Sequence, residues 1–293
     1  MDVLGLFTPK LRNFQPLFLQ IFFLLLSLSS LLLGLPLHFF LSGIIIGGHE
    51  VRPHFRPYMA FIRVVMTGKI KRCGGALVEL DSVLTAAHCW GRSMRVTLGA
   101  HNIRNQEWTQ QVIPVKEAIR HPDYIPGDYY NDIMILKLER KAKLTAAVRP
   151  LILPSGTAQV RPGEVCHVAG WGKVAPNGSD SNTLQEVELA VQQDEVCEAR
   201  LYDYYNSTTM LCVGDPKERK ASFQGDSGGP LVCKDMIQGV ALGGRVDGTA
   251  PRLFTKVLSF LPWIKKTMKS YEKPLTVGTS PPSLELIQNV TSN

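Results

Sequence analysis

Three short stretches hold residue types that could do covalent chemistry together: "TAAHC" with His88, "NDIMIL" with Asp132 and "GDSGGP" with Ser227. A serine hydroxyl is a weak nucleophile at neutral pH and needs a neighbouring base to take its proton. Imidazole has a suitable pKa, and a buried carboxylate fixes its working tautomer and stabilises the imidazolium that forms. The glycines around Ser227 add a second ingredient. A small residue before the nucleophile lets the backbone N–H groups of Gly225 and Ser227 converge on one point and hold a tetrahedral oxyanion. Singly, His88 reads as a core histidine beside a disulfide and Asp132 as a turn residue, while GDSGGP already reads as more than a Gly-rich loop. Together they point to acyl transfer.

Elements able to position such a set are short strands. From Ile45 onward, runs rich in apolar and β-branched residues ("YMAFIRVVM", "MRVTLGA", "DIMILKL", "GEVCHVAGW") alternate with Gly, Pro, Asn and Asp turns. That texture is all-β, a sandwich or a barrel, with no long helical period in between. The exception is "FLPWIKKTMKS", which puts Phe260, Leu261, Ile264 and Met268 on one face and Lys265, Lys266 and Lys269 on another, an amphipathic helix with basic residues near its end. After Ser270 the periodicity stops, and residues 271–293 read as a flexible extension. No internal repeat is evident.

The chain of 293 residues, 45% hydrophobic, is large enough to bury a full core. Its net charge of +7 favours polyanions such as sulfated glycans, but no RNA- or DNA-binding motif accompanies it. No Asp, Glu, Lys or Arg occurs between Arg12 and Glu50, and the apolar run from Leu17 to Leu41 is 25 residues, long enough to span a bilayer. Residues 1–42 read either as a cleaved secretory signal or as a retained signal anchor, because Phe40 is not the small residue that favours cleavage after Ser42. Only in the second case would the product stay on a membrane. In the secretory pathway, six cysteines without a CxxC pair favour three disulfides over a metal site, with fifteen pairings open. Sequons at Asn177, Asn206 and Asn289 fit the same compartment.

The His, Asp, Ser order resembles the chymotrypsin-like serine proteases. "IIGGHE" is similar to the mature N-terminus of such a protease, "AGWG" to a signature of its second barrel and "SFLPWIKKTMK" to its closing helix, so the resemblance runs over residues 45–270. It implies two antiparallel six-stranded β-barrels with the active site between them and a short C-terminal α-helix. It also implies the pairs Cys73–Cys89, Cys166–Cys233 and Cys197–Cys212. Phe223 and the region around Asp247 lack the extra cysteine pair of many relatives. With "VTLGAHNI", "TQQVIPV", "NDIMILKLERKAK" and "LCVGDP", this narrows the likeness to the granzyme and mast-cell protease group.

That group implies activation by a dipeptidyl peptidase that removes Gly43-Ile44, although the usual second residue is Glu. The freed Ile45 ammonium then pairs with Asp226 and organises the oxyanion hole. The resemblance further implies protein substrates, storage on acidic proteoglycan in cytolytic granules, serpin-type inhibitors, a role in target-cell death, and no cofactor.

The specificity pocket departs from the trypsin pattern. Its floor position falls at Ala221, followed by Ser222, so nothing there attracts Lys or Arg. The far wall comes from "APRLFTKV", where the resemblance places Arg252 in the pocket beside Gly244. There its guanidinium could hold a substrate carboxylate bidentately and select Asp or Glu at P1, the residue before the cut. The alternative has Arg252 pointing to solvent beside Lys256, since residues four apart share a strand face, and leaves a chymase-like apolar preference. Relatives read "SYG" or "SWG" where this chain has "ALGGRVDG", with Leu242 in the place of the Ser and Gly243 in that of the aromatic. That predicts reduced or shifted activity, and keeps a catalytically weak binding protein as the other class.

Overall fold

In β2 (Met59–Met66) side chains alternate as the sequence MAFIRVVM requires: Ala60, Ile62 and Val64 are fully buried, while Arg63 and Val65 face outward. The computed structural model describes residues 47–271 apart from 174, 176, 177 and 223. The expectations for the N-terminal segment, for Ile45, for Asn177 and Asn289 and for the tail beyond Tyr271 lie outside the described residues. β2 pairs with β3 (Lys69–Glu79) on one side and β5 (Ser93–Leu98) on the other. With β4 (Ser82–Thr85), β6 (Gln111–Arg120) and β7 (Met134–Leu138) these strands close an antiparallel barrel in the order β2-β3-β4-β7-β6-β5. Register shifts at Leu77/Glu79 and Val115/Glu117 supply the bends that closure requires.

The second sheet has seven strands, in the order β1-β9-β8-β11-β12-β13-β10. These are β1 (His49–Glu50), β8 (Val165–Gly170), β9 (Gln185–Ala190), β10 (Met210–Val213), β11 (Pro230–Cys233), β12 (Met236–Gly244) and β13 (Arg252–Lys256). The resemblance implies six, and the seventh has a local cause. One edge of β9 is shared: β1 pairs with Gln185 and Glu186 at its start, while just past its end Val191 bridges Val213. Hydrogen bonds from Gly214 N to Ala190 O and from Gln192 N to Cys212 O, both 2.8 Å, join β10 to the same edge, so the six longer strands curl back on themselves.

The C-terminal helix α2 (Val257–Ser270) buries Val257, Phe260, Leu261, Ile264 and Met268 and leaves Lys265, Lys266 and Lys269 exposed, as its periodicity predicts. Sequence reading missed the helix α1 (Asp194–Leu201). It is eight residues long and buries only Cys197 and Leu201, too little apolar pattern to stand out. Disulfides join Cys73 to Cys89, Cys166 to Cys233 and Cys197 to Cys212, the last pinning α1 to β10. No helix among the described residues is long and apolar enough to cross a membrane.

Candidate active site

His88 sits in the 3₁₀ turn Ala87–Cys89 just after β4, and the Cys73–Cys89 disulfide staples that turn to β3. Asp132 lies on the loop before β7 and is 1% exposed. Its backbone is held from the other sheet, where Thr255 Oγ1 on β13 donates to the Asp132 carbonyl at 2.9 Å. Both carboxylate oxygens face His88. The His88 backbone N–H donates to Oδ1 at 2.8 Å and its Nδ1 to Oδ2 at 2.5 Å. An acceptor on Nδ1 keeps a proton there and leaves Nε2 as the acceptor nitrogen of the neutral ring. Lys71 Nζ donates to the His88 carbonyl at 3.2 Å. Burial depresses the Lys71 pKa, and the nearby Asp132 charge opposes that shift.

Ser227 is half-buried in the loop before β11, and both sheets fix its position. Gly74 N of β3 donates to the Ser227 carbonyl, and Gly228 N donates to Ala241 O of β12, both at 2.8 Å. Gly225 has φ +99°, and a Cβ there would lie 2.7 Å from Gly172 Cα, so this approach to Ser227 tolerates only glycine. Asp226 is buried, with Oδ1 accepting from Gly172 N at 2.9 Å.

His88, Asp132 and Ser227 line one cavity of about 330 Å³, whose wall also includes Gly244 and Arg252. Arg252 is turned inward and only 7% exposed. Nη1 donates to Arg245 O at 2.7 Å, and burial lowers the Arg252 pKa against the opposing charges of Asp226 and Asp247. An arginine stays protonated under such a shift, so the wall carries a fixed cation. Ala221 and Ser222 are buried and do not line the cavity. Leu242 and Gly243 do line it. Leu242 occupies a bulge opposite β13 and packs with Leu253 and the Cys197–Cys212 disulfide, offering no donor to Asp132. Asn206 lies in a turn of the second sheet, half-buried, with Oδ1 accepting from Thr208 N at 2.9 Å.

Sequence reading did not single out Lys71, Thr255, Arg245 or Tyr129, which touch or flank these groups. For Tyr129 a signal was present, because "DYIPGDYYND" packs three tyrosines into the run leading to Asp132.

Two sheets, one a closed six-stranded barrel, define the trypsin-like fold, and His88, Asp132 and Ser227 line one cavity of it. Residues 45–264 match the family model described as Trypsin, and the chain belongs to that family as a serine endopeptidase. It is similar to human Granzyme B, 57% identical over 88% of this chain and 100% of that protein. Human Granzyme H is 59% identical over 77% of this chain and 91% of its own length. The solved structure "Structure of GrC" matches with a TM-score of 0.75 at 59% identity, covering 77% of this chain and all of that one.

Proposed function

We propose that the chain is a granzyme-type endopeptidase that cleaves after Asp, or after Glu, with Ser227 as nucleophile, His88 as general base and Asp132 as the group that orients it. Ser227 Oγ attacks the scissile carbonyl while its proton passes to His88 Nε2. The negative charge moves to the carbonyl oxygen, which accepts hydrogen bonds from the N–H groups of Gly225 and Ser227; each such donor contributes about 2.7 to 4 kcal/mol in the transition state. The imidazolium gives its proton to the leaving amine, and water hydrolyses the acyl-enzyme by the same steps reversed.

The observation that carries the P1 preference is the inward, buried Arg252 on the wall of the cavity that also holds Ser227. A guanidinium about 4 Å from a carboxylate is worth roughly 4 kcal/mol at an effective dielectric near 20, before desolvation is subtracted. Gly244, paired with Arg252 across β12 and β13, offers backbone groups to an extended substrate. Activation in this reading needs Gly43-Ile44 removed by a dipeptidyl peptidase, so that the Ile45 ammonium can reach Asp226. The positive charge suits granule storage on acidic proteoglycan, with serpin-type inhibitors and target-cell proteins as further partners. Cell death is the proposed outcome.

A chain processed to begin at Ile45 is expected to react with a fluorophosphonate at Ser227, and Ser227→Ala to abolish labelling. An unlabelled wild-type protein would favour the binding-protein class, for which Leu242, packed with Leu253 and the Cys197–Cys212 disulfide and offering Asp132 no donor, is the supporting observation. Among peptides differing only at P1, faster cleavage after Phe than after Asp would favour the chymase-like reading.

A further inference from the structure

The N-terminal barrel carries a second hollow that catalysis does not use. A cavity of about 410 Å³ opens between the loop before β2 and the start of β6, lined by His54, Trp108, Thr109, Gln111, Lys143 and Ala147. Trp108 at its rim is 97% exposed, more than any other large hydrophobic side chain among the described residues. An indole left in water beside an apolar hollow, with a polar rim, marks a surface that something covers. His54, which also lines the hollow, has a buried Nδ1 with no hydrogen-bond partner among the described residues. Lys143 adds an exposed cation at the rim. The matching occupant is a short extended segment with apolar side chains and one acidic residue.

The chain contains such a segment. Residues Leu284, Glu285, Leu286 and Ile287 follow one another in the C-terminal tail, and Glu285 is the only charge after Lys273. Tyr271, where the described chain stops, rests on the same barrel: its ring lies 5.5 Å from Lys137 Nζ on β7, and it hydrogen-bonds Glu117 of β6. Glu117 and Gln111 lie six residues apart on β6, roughly 20 Å. Leu284 follows Tyr271 by 13 residues, a reach of about 43 Å when extended, twice what is needed. We propose that Leu284 and Leu286 dock in this cavity against Trp108, with Glu285 paired to Lys143, so that the tail latches onto the N-terminal barrel of its own chain.

The test is acrylamide quenching of Trp108 in the chain from Ile45 to Asn293, its signal taken as the difference from a Trp108→Phe variant. A Leu284→Asp/Leu286→Asp variant should raise the Trp108 quenching constant by about threefold, as expected when a covered indole becomes open. A zero-length carbodiimide crosslink between Lys143 and Glu285 should form in the parent and be lost in Glu285→Gln. Turnover of a small peptide substrate should be unchanged in these variants, which reports that they fold. Equal quenching in parent and tail variant overturns the proposal. Protection that grows with protein concentration also overturns it, assigning the cavity to a second copy of the chain.

Discussion

A Cβ placed on Gly243 would lie 3.2 Å from Cε1 of Tyr129, so the tyrosine ring stands in the space that an aromatic side chain at 243 would need. Tyr204 holds it there edge-on, with ring centroids 5.2 Å apart at 68°. In the sequence Gly243 stands where relatives have an aromatic; the fold brings a different aromatic, Tyr129, to that space. Gly243→Trp should therefore clash and lower kcat/KM on an Asp substrate by about tenfold, while Tyr129→Ala in the same chain should recover part of the loss. Kinetics of the four proteins give a coupling energy expected at about 0.5 to 3 kcal/mol. A value of zero would mean that the two residues do not share the site.

Leu242 packs with Leu253 and the Cys197–Cys212 disulfide. Both Asp132 carboxylate oxygens are engaged by His88, and the buried Leu242 side chain gives them nothing. Leu242→Ser should raise kcat a few-fold by adding a donor beside Asp132. It should also destabilise the fold by about 2 to 4 kcal/mol through the lost packing and a buried hydroxyl. Calorimetry should read that as a Tm lower by about 5 to 12 °C. A fall in both kcat and Tm would show that leucine has no catalytic cost here.

Gly244 is the platform under Arg252. Its φ is +151°, and a Cβ there would lie 2.9 Å from Arg252 Nη1. Gly244→Ala should push the guanidinium off its bond to the Arg245 carbonyl and cut kcat/KM for Asp substrates by about tenfold or more, a loss near 1.4 kcal/mol in the transition state. Fluorophosphonate labelling of Ser227 should persist, separating loss of specificity from loss of the nucleophile.

The start of the second sheet should be acid-sensitive. Burial alone would raise the Glu50 pKa, but hydrogen bonds with His101, Thr183 and Gln185 outweigh it and hold the carboxyl below its ordinary value. A lowered folded pKa contributes stability that is complete above the unfolded value of about 4.3 and is lost as pH falls through the folded one. Glu50→Gln should therefore lower Tm at pH 5 to 7, with the gap to the parent closing below about pH 4. A gap that persists at pH 3 would assign the effect to packing.

The chemical groups were legible because their spacing along the chain is local. His88 and Asp132 each carry a structural reading when taken alone and gain a chemical one only beside GDSGGP, and helix α2 announced itself by its apolar period. What the sequence hid is what other elements bring from a distance. Thr255 reaches the Asp132 carbonyl from 123 positions away, and Gly74 reaches Ser227 from the other sheet. Tyr129 meets Gly243 only because the loop before β7 and the end of β12 converge, which no pattern within either segment encodes. The direction of Arg252 was likewise open, because strand alternation permits both faces, and burial against Gly244 fixes it. The seventh strand was hidden for the same reason, since His49 and Glu50 are too few to carry a period.

Selection of the residue before the cut by Arg252 is tested most directly by kcat/KM of the processed parent and of Arg252→Gly on two peptides that differ only in Asp or Phe at P1. The parent should prefer Asp, and the variant should lose that preference by about 100-fold or more, within what a buried guanidinium–carboxylate pair can supply. Ser227 should still be labelled by a fluorophosphonate in both proteins. A parent that prefers Phe, or a variant that keeps the preference for Asp, would contradict the assignment.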